Sequence, residues 1–244
     1  AAAIAFNPGR GTPLAGNVGF RAPFSETRVV RLAACETRPC DPGESGLVQV
    51  RGPQVFPGYL DPAHDAGTLA SDGWLTTGDV GYLRADGRLV LTGREKDLIV
   101  RGGHNIDPAA IEDVANLFPG VQISAAVGMP DQHAGEVPAL FVVPAPGARI
   151  DLEALRAHLD ATVPEPPARP RSLLLLDALP VTAVGKIFKP ALRDLAIREK
   201  VRQETARLCG PSASADTTVR QDAQKRTLVQ VLVTGASPAQ LADL

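Results

Sequence analysis

Residues 73–112 constrain this chain more than any other stretch. They read GWLTTGDVGYLRADGRLVLTGREKDLIVRGGHNIDPAAIE. A polar loop closes on Asp79. Asp86-Gly87 lies between runs of good strand formers, the strongest short-range signal for a hairpin. Gly93-Arg94-Glu95-Lys96-Asp97 is then a charged crossing into a second apolar strand, Leu98-Ile99-Val100, which runs into Gly102-Gly103. A plain meander needs turn glycines. It does not need Thr77-Gly78-Asp79, Gly93-Arg94-x-Lys96-Asp97 and Arg101-Gly102-Gly103-His104-Asn105 in series.

Upstream of this stretch, short strands alternate with turns. Val18–Phe20, Thr27–Leu32 and Leu47–Arg51 have strand composition, and Asp41-Pro42-Gly43-Glu44-Ser45-Gly46 is a turn cluster. Such a string predicts a barrel-like or sandwich β-subdomain. From Lys96 onward the pattern changes to alternating strands and helices. Asp107-Pro108 is an N-cap followed by proline at the first helical position, and Ile111, Val114, Ala115 and Phe118 recur at helical spacing. Strands are predicted at 121–127, 137–143 and 172–176, and a second amphipathic helix from Asp151 to about Thr162. Pro164 to Pro170 is read as a rigid extended connector. A last helix from Pro190 would carry Leu192, Leu195 and Ala196 inward. Residues 210–218 are small and polar and read as a linker. Thr227–Thr234 is β-rich, and Ser237-Pro238 is a candidate cap for a short helix. The fold class is thus α+β: a β-barrel-like subdomain, then a small α+β domain whose mixed sheet has flanking helices.

Bulk properties remove several functions. A net charge of -2 leaves no basic footprint for nucleic acid, and no apolar run has the length of a membrane span. The three cysteines, Cys35, Cys40 and Cys209, form no CxxC pattern. They read as reduced cytosolic thiols, with a Cys35–Cys40 loop bridge left open. Four scattered histidines give no zinc spacing, and Asp131, His133 and Glu136 read as one solvated loop, with no metal assigned.

A second anchor lies far downstream, Pro180-Val-Thr182-Ala-Val-Gly185-Lys186-Ile187. Together with the 73–112 stretch, and in the same order, it resembles the late motifs of the adenylate-forming enzymes: acyl-CoA synthetases, adenylation domains of peptide synthetases, and luciferases. The chain is most similar to bacterial fatty- or aryl-acid CoA ligases. The resemblance spans about Gly16 to Leu195. It implies an AMP-forming enzyme that activates a carboxylic acid with ATP and Mg²⁺, then passes the acyl group to CoA.

The resemblance also implies roles. Lys186 would be the catalytic lysine, whose compact ammonium meets both the acid oxygen and an α-phosphate oxygen; read alone it is a surface lysine. Asp79 and Arg94 would bind the nucleotide, Asp79 at the ribose hydroxyls and Arg94 at the ribose or phosphate. Their plain alternatives are an Asx turn and a surface ion pair. Lys96, two residues past the arginine, matches the family's hinge; otherwise it is a charged linker residue. Gly102, Gly103 and His104 would line the tunnel for the CoA pantetheine arm; otherwise Gly102-Gly103 is an ordinary turn. Tyr82 and Leu91 are core positions or border the adenine.

On this reading residues 1–95 are the β-rich end of a large N-terminal adenylation domain. Residues 96–206 are a mobile C-terminal α+β domain, and 207–244 a linker and partial C-terminal extension. The chain starts without methionine and lacks the family's phosphate loop of the type Thr-Ser-Gly-Thr-Thr-Gly-x-Pro-Lys. It is therefore expected to be a piece of a longer cytoplasmic enzyme and inactive alone. Two alternatives stay open: an adenylation domain that loads a carrier protein, and a non-catalytic binding module derived from the fold.

Overall fold

The computed structural model describes residues 4–7, 17–31, 38–222 and 226–235. Cys35 and Ser237-Pro238 lie outside them. The chain divides into two compact units, Ala1–Asp97 and Leu98–Leu244.

In the first unit, β1 (Ala5–Phe6) pairs with β2 (Phe20–Arg21). Then β3 (Glu26–Val30), β4 (Gly46–Arg51), β5 (Leu75–Leu83) and β6 (Leu89–Arg94) form an antiparallel meander in the order 3-4-5-6. The alternation in β4 explains its placement: Val48 and Val50 are fully buried beside Val29, Leu75 and Leu89, while Leu47 and Gln49 face the other side. A bridge from Gly19 to Leu89 ties the small ribbon to β6. Among the described residues the sheet stays open and does not close into a barrel. Between β5 and β6, Arg84 O accepts from Gly87 N at 2.9 Å, and Gly87 has φ +82°. The expected Asp86-Gly87 turn is thus the last two residues of a three-residue hairpin loop.

The second unit is a mixed sheet covered on both faces. β7 (Ile99–Arg101) and β8 (His104–Ile106) form a short hairpin. Asp107 caps α1 (Pro108–Asn116) by accepting from Ala109 N at 2.9 Å. β9 (Val121–Asp131) and β10 (Gly135–Pro144) form one long antiparallel hairpin. Asp151 caps α2 (Leu152–Thr162) in the same way as α1. β11 (Ser172–Leu175) pairs parallel with β10 at Ala139–Val142, and β7 meets the same strand at Gly135. α3 runs from Lys189 to Cys209.

Period-two alternation in the β9–β10 hairpin sends its apolar residues both ways. Ala126, Leu140 and Val142 pack with Ile99, Ile106, Ile111, Leu155 and Leu159 on the α1–α2 side. Ala125, Val127, Met129, Phe141 and Val143 pack with Leu192 and Ala196 of α3 on the other. Expectation and structure differ at three places. Leu195 is not inward: the buried stripe of α3 is Leu192, Ala196, Thr205 and Cys209, and Leu195 borders an open groove with Leu174 and Thr217. The proline-rich connector is not extended throughout. It makes one helical turn, Pro166–Ala168, that buries Ala168, and Arg101 Nη1 donates to Pro167 O at 2.6 Å. The expected linker is instead strand β12 (Ser214–Gln221), paired with β13 (Thr227–Thr234). Its polar composition hid an alternation that turns Ala215, Thr217 and Val219 away from solvent.

Cys40 Sγ lies 3.8 Å from Ser45 O, and burial pushes its thiol up from the ordinary cysteine range. Among the described residues no helix is long and apolar enough to cross a membrane.

Candidate functional site

Asp79 and Arg94 face each other across β5 and β6 in direct register. Arg94 Nε lies 2.7 Å from Asp79 Oδ1, with the arginine side chain 57% exposed and the aspartate 19%. The loop chemistry sets the aspartate. Gly78 has φ +73°, and Asp79 N donates to Thr77 Oγ1 at 3.0 Å, while Thr77 Oγ1 donates to Val48 O at 3.0 Å. Asp79 is thus tied through Thr77 to the middle of the sheet. A carboxylate has lone pairs on both oxygens, so Asp79 can hold Arg94 on one and accept hydroxyls on the other. Tyr82 and Leu91 are half-buried in the same strands. Lys96 is exposed and sits in a single 3₁₀ turn, Glu95–Asp97, that buries none of its residues.

In the second unit, Gly102 and Gly103 are the two central residues of the β7–β8 hairpin, with φ +55° and +86°. Positive φ at both centres defines a type I′ turn, which L-residues other than Asn and Asp resist. A Cβ at either position would meet nothing within 4 Å. Backbone conformation, not crowding, demands glycine here. His104 and Asn105 are exposed beside the turn. The hairpin root is held differently. Ile99 and Ile106 are buried, Gly102 N donates to Ala134 O at 2.8 Å, and Val100 N donates to Glu136 Oε2 at 2.9 Å. Gly128 makes room for that carboxylate: a Cβ there would lie 2.4 Å from it.

Lys186 is exposed near the end of a tight loop. Val181 bridges to Ile187, and Thr182 N donates to Lys186 O at 2.7 Å while Gly185 N donates to Thr182 O at 2.9 Å. Lys186 N also donates to Thr182 Oγ1 at 3.2 Å. Thr182 thus fixes the lysine backbone through both its backbone and its hydroxyl, and Gly185, at φ +77°, makes the turn possible. Three residues on, Lys189 opens α3. Its Nζ lies 2.8 Å from Glu112 Oε1 of α1, and both side chains are nearly buried, 18% and 19% exposed. Glu112 Oε1 also accepts from Ala126 N at 2.8 Å. One carboxylate therefore joins α1, β9 and the start of α3, just behind the lysine loop.

The structure brings Asp79 and Arg94 together in the first unit. It places Gly102, Gly103, His104 and Lys186 in the second, on two separate loops. Sequence reading missed Glu112 and gave Lys189 no role. Glu112 is the last residue of the 73–112 stretch, and the available signal was a carboxylate placed directly beside the buried Ile111 in α1. Asp131 is an Asx-turn residue: it accepts from His133 N at 3.0 Å and Ala134 N at 2.9 Å, and these donors hold its carboxyl below the usual range. Glu136 serves Val100 instead. Among the described residues no group of three or more His, Cys, Asp or Glu gathers as metal ligands.

Residues 110–186 match the family described as AMP-binding enzyme C-terminal domain. That 110–186 segment belongs to this family, and the relatives the chain matches include CoA ligases of the adenylate-forming superfamily. It is 41% identical over 186 residues to marinolic acid–CoA ligase of Pseudoalteromonas sp. (strain SANK 73390), covering 75% of this chain and 28% of that protein. It is 39% identical over 178 residues to feruloyl-CoA synthase of Amycolatopsis sp, covering 73% and 35%. ATP-bound MatB from Rhodopseudomonas palustris superposes with a TM-score of 0.73 at 33% identity, over 79% of this chain and 38% of that one. The chain thus spans well under half the length of the proteins it matches.

Proposed function

We propose that this chain supplies the late part of an ATP-dependent, AMP-forming acid–CoA ligase. The observation that carries the reading is Lys186, exposed on a doubly pinned loop at the end of a segment matched to the AMP-binding C-terminal domain. Residues 1–95 are then the β-rich end of a larger adenylation domain. Residues 96–206 are a mobile domain, and 207–244 an extension of it. The substrate is a carboxylic acid of the fatty or aromatic class, in keeping with relatives named for marinolic and ferulic acyl groups. The enzyme works in the cytoplasm.

In the first half-reaction a carboxylate approaches the α-phosphate of ATP, and negative charge from both reactants gathers in one place. Catalysis there rests on positioning and electrostatic stabilisation. Lys186 supplies a compact positive charge to both oxygens. Asp79, steadied by Arg94, accepts the ribose hydroxyls, and Arg94 keeps donors directed toward the ribose or phosphate. Mg²⁺ enters only as an ion carried by the nucleotide phosphates. In the second half-reaction the CoA thiol displaces AMP. Lys96, in a short turn that buries nothing, absorbs the backbone change between the two poses. Gly102, Gly103 and His104 then line the path of the pantetheine arm.

The test uses a full-length enzyme carrying this segment. Lys186→Ala should lower ATP–pyrophosphate exchange by about a hundredfold or more. Thioester formation from supplied acyl-AMP should stay close to normal. Equal loss in both half-reactions would make Lys186 a structural residue and remove the reading.

A further inference from the structure

The last hairpin leaves one strand edge open. β12 and β13 pair in one continuous register from Ser214↔Thr234 to Gln221↔Thr227. At the hairpin end Asp222 N donates to Arg226 O at 3.0 Å. An antiparallel ladder alternates, so Leu228, Gln230, Leu232 and Thr234 turn their backbone groups toward β12. Thr217 has the opposite parity, and its carbonyl accepts from Arg198 Nη1 of α3, outside the ladder. Both observations give the same phase. The N–H and C=O groups of Thr227, Val229, Val231 and Val233 therefore point away from the hairpin. Among the described residues no strand pairs with that edge.

Nothing within the strand guards it. Thr227–Thr234 reads TLVQVLVT, without charge, proline or glycine, the usual protections of a free edge. Leu228, Val229, Val231 and Leu232 are 41–64% exposed. Successive side chains alternate in direction, so both faces of the strand carry aliphatic surface.

The sequence specifies what fits. Residues 228–232, Leu-Val-Gln-Val-Leu, read the same in both directions. A second copy of the strand, antiparallel about a two-fold axis at Gln230, sets Leu228 against Leu232, Val229 against Val231, and Gln230 against its counterpart. The outward backbone groups match in the same register, since Val229 falls opposite Val231 and Thr227 opposite Val233. Moving the axis to Val231 sets Leu228 against Thr234 and Gln230 against Leu232. Moving it to Val229 sets Leu232 against Arg226. An axis between residues puts outward groups opposite inward ones and makes no ladder.

We propose that β13 is a dimerisation strand, joining two copies of this chain into a four-stranded sheet about a two-fold axis at Gln230. The contact is isologous and closed, because the two-fold axis uses the β13 edge of both copies. It is independent of the catalytic reading above.

Sedimentation equilibrium of the 244-residue chain should give twice its 25.5 kDa mass. Val229→Pro deletes an outward N–H and spares the ladder to β12, so this variant should run as a monomer with an unchanged far-ultraviolet spectrum. Gln230 Oε1 accepts from Arg220 Nη2 of its own hairpin at 2.8 Å, so Gln230→Lys, which gathers four cations about the axis, should weaken self-association roughly fivefold, and Gln230→Glu, which keeps Arg220 as a partner, should weaken it less. An equimolar mixture of the two should restore the dimer. If Val229→Pro disturbs the hairpin, the Lys/Glu pair decides alone. A monomeric parent chain overturns the proposal, as does a dimer that survives Val229→Pro with its hairpin intact. A mixture that fails to restore pairing overturns the axis at Gln230 and the proposal with it.

Discussion

Lys189→Met isolates the contribution of the charge behind the lysine loop. Methionine keeps an unbranched apolar stem, so packing along the lysine methylenes is largely retained. The substitution removes the 2.8 Å contact to Glu112 and the longer one, 3.4 Å, to Ala126 O. Two opposite charges about 4 Å apart attract by about 4 kcal/mol at an effective dielectric of 20. Desolvation of two nearly buried groups offsets part of that, and Glu112 keeps the Ala126 N–H as a second partner. The net loss should be about 2 kcal/mol. In a unit of this size that lowers the melting temperature by about 4–8 °C. Glu112→Gln should cost a similar amount, and the double variant less than the sum, with a coupling of about 1.5 kcal/mol. Urea or thermal melts followed by circular dichroism measure all four corners of the cycle. A Lys189→Met variant as stable as its parent, or a coupling near zero, would show that the pair is screened and that α3 is held by apolar packing alone.

Three further outcomes follow from the geometry. Gly103→Leu should destabilise the β7–β8 hairpin by about 1–2 kcal/mol through its positive φ, with Gly103→Asn milder; in the full-length enzyme it should also cut CoA-dependent AMP release while sparing ATP–pyrophosphate exchange, and loss of both would point to misfolding. Lys96→Pro fixes φ in the turn before the second unit, so one half-reaction should survive and the other fail, whereas retention of both removes the hinge assignment. Thr205 is buried and its hydroxyl finds no hydrogen-bond partner among the described residues, so Thr205→Val should raise the melting temperature by about 2–4 °C, the equivalent of about 1 kcal/mol; a drop instead would reveal a hydration partner.

What could be read from sequence was local. Asp107-Pro108 and Asp151 announce helix starts because caps act over two or three residues. Gly87 and the Gly102-Gly103 pair announce turns because only positive φ satisfies them. The lysine loop was picked out by its resemblance to a family motif, since Lys186 read alone is a surface lysine; the bonds that join Thr182, Gly185 and Lys186 came with the structure. Long-range partners were not legible. Lys189 and Glu112 lie 77 positions apart, and Glu136 serves Val100 across 36; no local pattern records either. β12 was hidden because its inward positions, Ala215, Thr217 and Val219, are small or polar and imitate a linker. Leu195 misled in the opposite sense: an apolar residue at helical spacing stands at the edge of the buried stripe.

The β7–β8 hairpin separates two kinds of residue along a few positions. Ile99 and Ile106 are sealed into the core, and Val100 N is satisfied by a side chain rather than by a neighbouring strand. Val100, His104 and Asn105 meanwhile face solvent beside a turn that asks only for two glycines. Root and tip can therefore change independently. Lineages, or a combinatorial library, can diversify Val100, His104 and Asn105 while the two glycines and the buried root keep the hairpin's shape, so the exposed surface of this turn can change by single steps without first gaining stability elsewhere.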